Sequence, residues 1–145
     1  MPQIQRFALV PHTPDQLFDL VRDVEAYPEF LSWVEQAVVH EETPSSQTAS
    51  LGLNLAGLKP QFTTQNRLEI GQSVEMSMVE GPFDSLKGQW HFEPLGSGTK
   101  VSLSLTFEVG YAFLSTALSR SFSKVADRMV DDFCQRAFEV YDDES

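Results

Sequence analysis

Three histidines, one cysteine and three short acidic clusters are the residues of this chain best equipped for acid–base, nucleophilic or metal chemistry. His12 precedes a helix cap, His40 lies beside an acidic strand end, and His91 alternates to the polar face of a strand. None has a companion at the spacing of a catalytic triad or a metal site, so each reads as a surface imidazole. Cys134, the only cysteine, excludes an internal disulfide, and its helical surroundings make it a small packing residue rather than a nucleophile. Glu41-Glu42, Asp131-Asp132 and Asp142-Asp143-Glu144 read as solvated surface and tail. There is no Gly-rich phosphate loop, cysteine pair or His-Glu zinc motif, so no catalytic residue, metal ligand or required cofactor is assigned.

The chemistry left to this sequence is burial. Met76, Met78 and Met129 are flexible and polarisable, while Leu53, Phe62, Trp90, Phe92, Phe107 and Phe122 are bulky. By pattern alone these residues are core; around a cavity they would suit an isoprenoid chain or a flat ring. The segment Glu80–Phe92 opens on the turn pair Gly81-Pro82 and continues with Leu86, Gly88, Trp90 and Phe92 on one face. A glycine there implies either a sharp strand bend or close approach of something to the backbone. A second pattern is electrostatic: Arg120, Lys124 and Arg128 recur every four residues and form one basic row on a helix.

These residues sit on a chain of 145 residues, one domain by size, with a hydrophobic fraction of 41%. Ten basic and 21 acidic residues give a net charge of -11, which repels phosphate backbones and anionic lipid unless the bases are gathered on a patch. DNA is therefore not an expected partner, and membrane contact is expected to be transient at most. No apolar run reaches the roughly 18 residues of a membrane span and the first residues lack a signal-peptide core, so the expected location is the cytoplasm.

The elements that must position these groups follow from periodicity. Gln3 to Val10 reads as a strand. Thr13, Pro14 and Gln16 then open a helix through a capping box, with Leu17, Phe18, Leu20, Val21 and Val24 as its buried stripe. Tyr27 to Trp33 reads as a second short helix begun by Pro28. Alternation then predicts six antiparallel strands, near 35–42, 47–56, 59–70, 73–79, 84–94 and 99–109. The apolar positions from Leu114 to Val140 fall every three or four residues and predict one helix of roughly seven turns, about 40 Å long. The expected fold is α+β: a seven-stranded curved antiparallel sheet wrapped around a long C-terminal helix, with two short helices after the first strand.

Several blocks of this sequence resemble a known family. They are Thr13–Val21, Asp23–Leu31, Phe62-Thr63-Thr64-Gln65-Asn66, Gly81-Pro82-Phe83 with Leu86, Gly88, Trp90 and Phe92, and Arg136-Ala137 with Val140-Tyr141. Together they resemble the START-like, helix-grip (START/Bet v 1-like, SRPBCC) proteins, within them the polyketide-cyclase-like group and its coenzyme Q-binding and RatA branch. Ser32-Trp33-Val34 departs from that branch's proline-tryptophan-cysteine pattern.

The leading function implied is non-enzymatic binding of a ubiquinone-like lipophile in support of respiration. Its cavity of several hundred Å³ would be lined by the nine apolar residues named above. Thr64 and Asn66, with Gln65 and Arg67 beside them, would orient a quinone carbonyl. The alternative implied is a RatA-like toxin that associates with the large ribosomal subunit and blocks subunit joining, with Arg120, Lys124 and Arg128 as the contact. A cyclase or aromatase comes third, since the expected lining contains no acid–base pair.

Overall fold

The protein is described here by a computed structural model covering residues 3–55, 57–81, 83–108 and 114–141, without the side chains of 114–119. The Pro82 half of the turn, the side chains of Leu114 and Leu118, and the acidic tail at 142–144 lie outside the described residues.

Strand β1 (Gln3–Val10) leads into helix α1 (Pro14–Arg22), a 3₁₀ helix (Val24–Glu29), and strands β2 (Val34–Thr43), β3 (Ser46–Leu53), β4 (Gln61–Glu69), β5 (Ser73–Glu80), β6 (Ser85–Leu95) and β7 (Gly98–Glu108). Helices α2 (Leu114–Asp127) and α3 (Met129–Tyr141) follow. The seven strands form one antiparallel sheet in the order β1-β7-β6-β5-β4-β3-β2, so the first strand closes against the last and β2 forms the opposite edge. Each predicted strand is present to within about two residues at most ends, because strict alternation ends where glycine, proline and serine begin.

Helix α1 starts as its capping box requires: the Gln16 amide donates to Thr13 Oγ1 at 3.2 Å and the Thr13 amide donates to Gln16 Oε1 at 2.9 Å. Two expectations are corrected. The short second helix begins at Val24, and Pro28 lies inside it rather than at its start. A 3₁₀ helix tolerates this because few of its amides need an intrahelical acceptor. The long C-terminal helix is also interrupted at Arg128, whose amide donates to the Val125 carbonyl at 3.2 Å, one residue short of the α spacing. The α pattern resumes when the Asp132 amide donates to the Arg128 carbonyl at 3.0 Å.

The core lies between the sheet and these helices. Ala126, Val130, Phe133 and Ala137 face inward from α2 and α3 toward Trp90, Phe92, Val101 and Leu103, all buried. Two small alanines let the helices approach closely while Phe133 packs edge-on against Trp90 at 5.0 Å and against Tyr27 at 5.2 Å. His12 is a further correction. It is buried rather than on the surface, its ring set edge-on to Phe138 at 5.1 Å, because the β1–α1 connection passes beneath the end of α3. His40 and His91 are exposed.

Strand β2 carries register shifts at Val34/Gln36 and Val39/Glu41, and the Val39 amide on this edge donates to Glu25 Oε2 of the 3₁₀ helix at 3.1 Å. No helix among the described residues is long and apolar enough to cross a membrane.

Candidate functional site

The inward faces of β3 to β7 and the helices over them leave a cavity of about 80 Å³. Its wall is almost wholly apolar. Of the predicted lining, Leu53, Phe62, Met76, Trp90, Phe122 and Met129 are on it, as are the polar candidates Thr64 and Asn66. Val21, Val24, Tyr27, Leu31 and Trp33 complete it from the α1 side, together with Ala49, Leu51, Val74, Leu86 and Leu105 from the sheet. The first group reads from sequence as helix-pair packing, and its role as a wall appears only once α1 is folded over the sheet.

Three predicted lining residues are elsewhere. Phe92 lies parallel to Trp90 at 6.4 Å and edge-on to Phe18 at 6.3 Å, so it joins β6 to α1. Phe107 stacks on Phe83 at 5.0 Å and meets Phe122 at 5.1 Å, in an aromatic cluster beside the cavity. Met78 turns over Gly81, where a Cβ would come within 2.5 Å of its sulfur. Gln65 and Arg67 are exposed, because alternation along β4 sends them to the outer face. Gly88 also resolves. An added Cβ would come within 2.7 Å of Leu105 Cδ1 and 2.9 Å of Met76 Cε, so the gap is filled by two neighbouring side chains. That filling is one reason the volume falls well below the expected several hundred Å³.

Asn66 is a deeply buried polar residue of the wall, 4% exposed and paired across the β3–β4 ladder with Gln47, itself 1% exposed. Gln47 Nε2 donates to the Arg22 carbonyl at 2.8 Å and to Glu42 Oε2 at 2.9 Å. Both partners are acceptors only, which fixes the Gln47 amide and leaves its Oε1 to accept Asn66 Nδ2 at 2.8 Å. Asn66 Oδ1 is then buried without a partner among the described residues. Trp33, 9% exposed and on the same wall, likewise has its Nε1 donor buried without a partner among the described residues. The two lie at opposite ends of β3: Trp33 beside Leu53 and Asn54, Asn66 beside Gln47. The signal for Asn66 and Gln47 was in the sequence, as polar residues at inward positions of two facing strands.

Two buried titratable groups, Tyr27 on the wall and Cys134 on α3, are held neutral. Burial pushes the Tyr27 hydroxyl well above its ordinary value, with Asp23 adding to the shift, and this hydroxyl donates to the Val21 carbonyl. Burial, with Asp131 second, pushes the Cys134 thiol up to about 11. Among the described residues no group of three or more His, Cys, Asp or Glu is arranged to hold a metal ion.

The basic row forms a separate site, with Arg120 and Lys124 on the outside of α2 and Arg128, expected on the same helix, at the break that follows it. Arg120, Lys124 and Arg128 are exposed and line one open depression with Gln3, Ile4, Ser121, Ser123 and Asp127. Asp127 is engaged by Arg6, and none of the three cations makes an ion pair among the described residues. Arg22, Lys59, Arg67 and Arg136, by contrast, each face a carboxylate.

The family of polyketide cyclase / dehydrase and lipid transport proteins matches residues 10–134. The ribosome association toxin RatA of Pseudomonas aeruginosa is 44% identical over 139 residues, spanning 95% of this chain and 96% of that protein. A mitochondrial coenzyme Q-binding protein of Drosophila melanogaster is 26% identical over 132 residues, spanning 88% of this chain and 54% of that one. A START superfamily protein from Mycobacterium smegmatis superposes with a TM-score of 0.72 at 17% identity, over 92% of this chain and 97% of that chain, a likeness of fold.

Proposed function

The chain belongs to the polyketide cyclase / dehydrase and lipid transport family, in its START-like coenzyme Q-binding and RatA branch, and from that premise we propose that it acts by associating with the ribosome. The reading that led at the level of sequence, quinone binding, gives way to its alternative. Relatives named for ribosome association match at 40–44% identity across nearly their whole length, and one at 42% is named a persistence and stress-resistance toxin, against 26% for the coenzyme Q-binding one.

The observation that carries the proposal is the row Arg120, Lys124 and Arg128. It is a set of exposed cations that make no ion pair among the described residues, with Arg128 close enough to Asp132 to act on its charge, on a protein of net charge -11. Ribosomal RNA presents phosphates, and neutralising them releases counterions, so such a row gives attraction that weakens with salt. The partner we assign is the large subunit, and the action is steric: a bound domain of this size occludes the face it covers. No reaction is required of it.

Replacing Arg120, Lys124 and Arg128 with glutamate tests this by co-sedimentation with purified large subunits across a salt series. The expected result is loss of most association at low salt and a fall of about 2 in the slope of log K against log salt, from three lost contacts at roughly 0.7–0.9 each partly offset by neighbouring cations. Unchanged association and an unchanged slope remove the row.

A second reading is favoured by the cavity: burial of a small lipophile between sheet and helix. At about 80 Å³ the space is roughly half that of an engineered apolar cavity that takes benzene. A ring therefore requires Met76 and Met129, the adaptable side chains of the wall, to give way, and an isoprenoid tail must lie outside.

A further inference from the structure

We propose that the cavity recognises a hydroxyl group, taking a phenol-like or hydroquinone-like ring in preference to a quinone or an unsubstituted ring, through Asn66 Oδ1. This rests on the second reading above, that the cavity holds a small lipophile. It reverses the polarity expected from the sequence. An asparagine facing a cavity can offer either end of its amide, and the end offered decides what binds.

Here the choice is fixed by the residue opposite on the β3–β4 ladder. Gln47 has its NH₂ committed to two acceptors, the Arg22 carbonyl and Glu42, so it can present only Oε1 to Asn66. Asn66 must answer with Nδ2, which leaves its Oδ1 as the acceptor without a partner among the described residues, on a residue that lines the cavity. Turning the Asn66 amide over would set two carbonyl oxygens against each other in a buried site. Turning both amides over would set the Gln47 carbonyl against Arg22 O and Glu42 Oε2. The orientation is therefore locked by a chain of four groups rather than by Asn66 alone.

A buried acceptor without a partner is costly, on the order of the penalty for any unmade buried hydrogen bond. A ligand that brings a donor relieves it, and one that brings only acceptors does not. A quinone carbonyl has no proton to give. The corresponding hydroquinone differs by little in shape and supplies an O–H, which can also accept from the Thr64 hydroxyl two residues along the same wall. Trp33 Nε1 at the other end of β3 can serve an acceptor on either form, so it does not discriminate. The aromatic groups Phe62, Trp90 and Phe122 supply faces and edges for a ring.

The test is a titration of the full chain with phenol, benzene and anisole, followed by backbone and indole NMR shifts, in the wild type and in Asn66→Leu. Benzene has no donor, and anisole keeps the oxygen but has lost its proton. The expected order in the wild type is phenol tightest, with the phenol-to-benzene ratio of affinities falling by about threefold to tenfold in the leucine variant, the range of one net hydrogen bond. Benzene or anisole binding at least as tightly as phenol in the wild type overturns the assignment of Asn66 while leaving the cavity intact; that is also the result if a water stays on Oδ1. Binding of none of the three overturns the cavity reading and this inference with it. The wild-type comparison stands even if Asn66→Leu, which strips Gln47 Oε1 of its donor, folds poorly.

Discussion

Tyr27 closes one side of the cavity with its ring and anchors the end of α1 with its hydroxyl, which donates to the Val21 carbonyl. Burial favours the neutral phenol, so the folded chain keeps this proton above the ordinary tyrosine value near 10. Below about pH 9 both states are neutral and Tyr27 gives no pH dependence. Above about pH 10 the unfolded chain releases a proton that the folded chain retains, so stability falls as pH rises. Tyr27→Phe should cost about 1 kcal/mol at pH 7 through the lost hydrogen bond, and should flatten the alkaline decline. Urea unfolding at pH 7 and pH 10.5 measures both, and an undiminished decline in the phenylalanine variant locates its source elsewhere. Six of the nine apolar residues expected on the wall were legible, because the inward period of a strand or a helix is a local property. Phe92, Phe107 and Met78 obey the same alternation yet miss the cavity, since which inward side chain meets a void depends on what packs opposite it.

At the scale of elements, strand β6 shows how little room the sheet leaves. Gly88 pairs with Met76 on β5 and Leu105 on β7, and both neighbours fill the place of its missing side chain. Gly88→Val should therefore cost roughly 1–3 kcal/mol by overpacking, and, by driving Met76 and Leu105 into the cavity, abolish phenol binding. Chemical denaturation and the same NMR titration read the two effects; unaltered phenol affinity would show that the displaced side chains move elsewhere. Strands were legible because turn residues bound each alternating run. The break at Arg128 was not, because the apolar spacing from Phe122 through Val125 and Met129 to Phe133 continues across it without a proline or glycine. Only the hydrogen bonds record the break. The pairing of β1 with β7 is likewise beyond local pattern, being a contact between the two ends of the sheet-forming sequence.

For the molecule as a whole, the two sites occupy opposite sides of one helix: Phe122 of α2 faces the cavity, while Arg120 and Lys124 face solvent. Blocking the inside should leave the outside working, so Gly88→Val is expected to co-sediment with large subunits as the wild type does, and the triple glutamate variant to bind phenol as the wild type does. Loss of both activities in either variant would mean that the sites act as one. A sheet that ends in a free strand also has a colloidal problem, because unpaired backbone groups along an edge template the addition of another chain. Strand β2 meets this with its two register shifts, with Glu35, Glu41 and Glu42 along it, and with the Glu25 carboxylate already accepting the Val39 amide. An incoming strand would find the edge kinked, negatively charged and, at Val39, already occupied. The chain should accordingly stay monodisperse at concentrations where a flat, uncharged edge would seed fibrils, and Glu25→Ala, which reopens one amide without touching the core, is the change that would lower that threshold first.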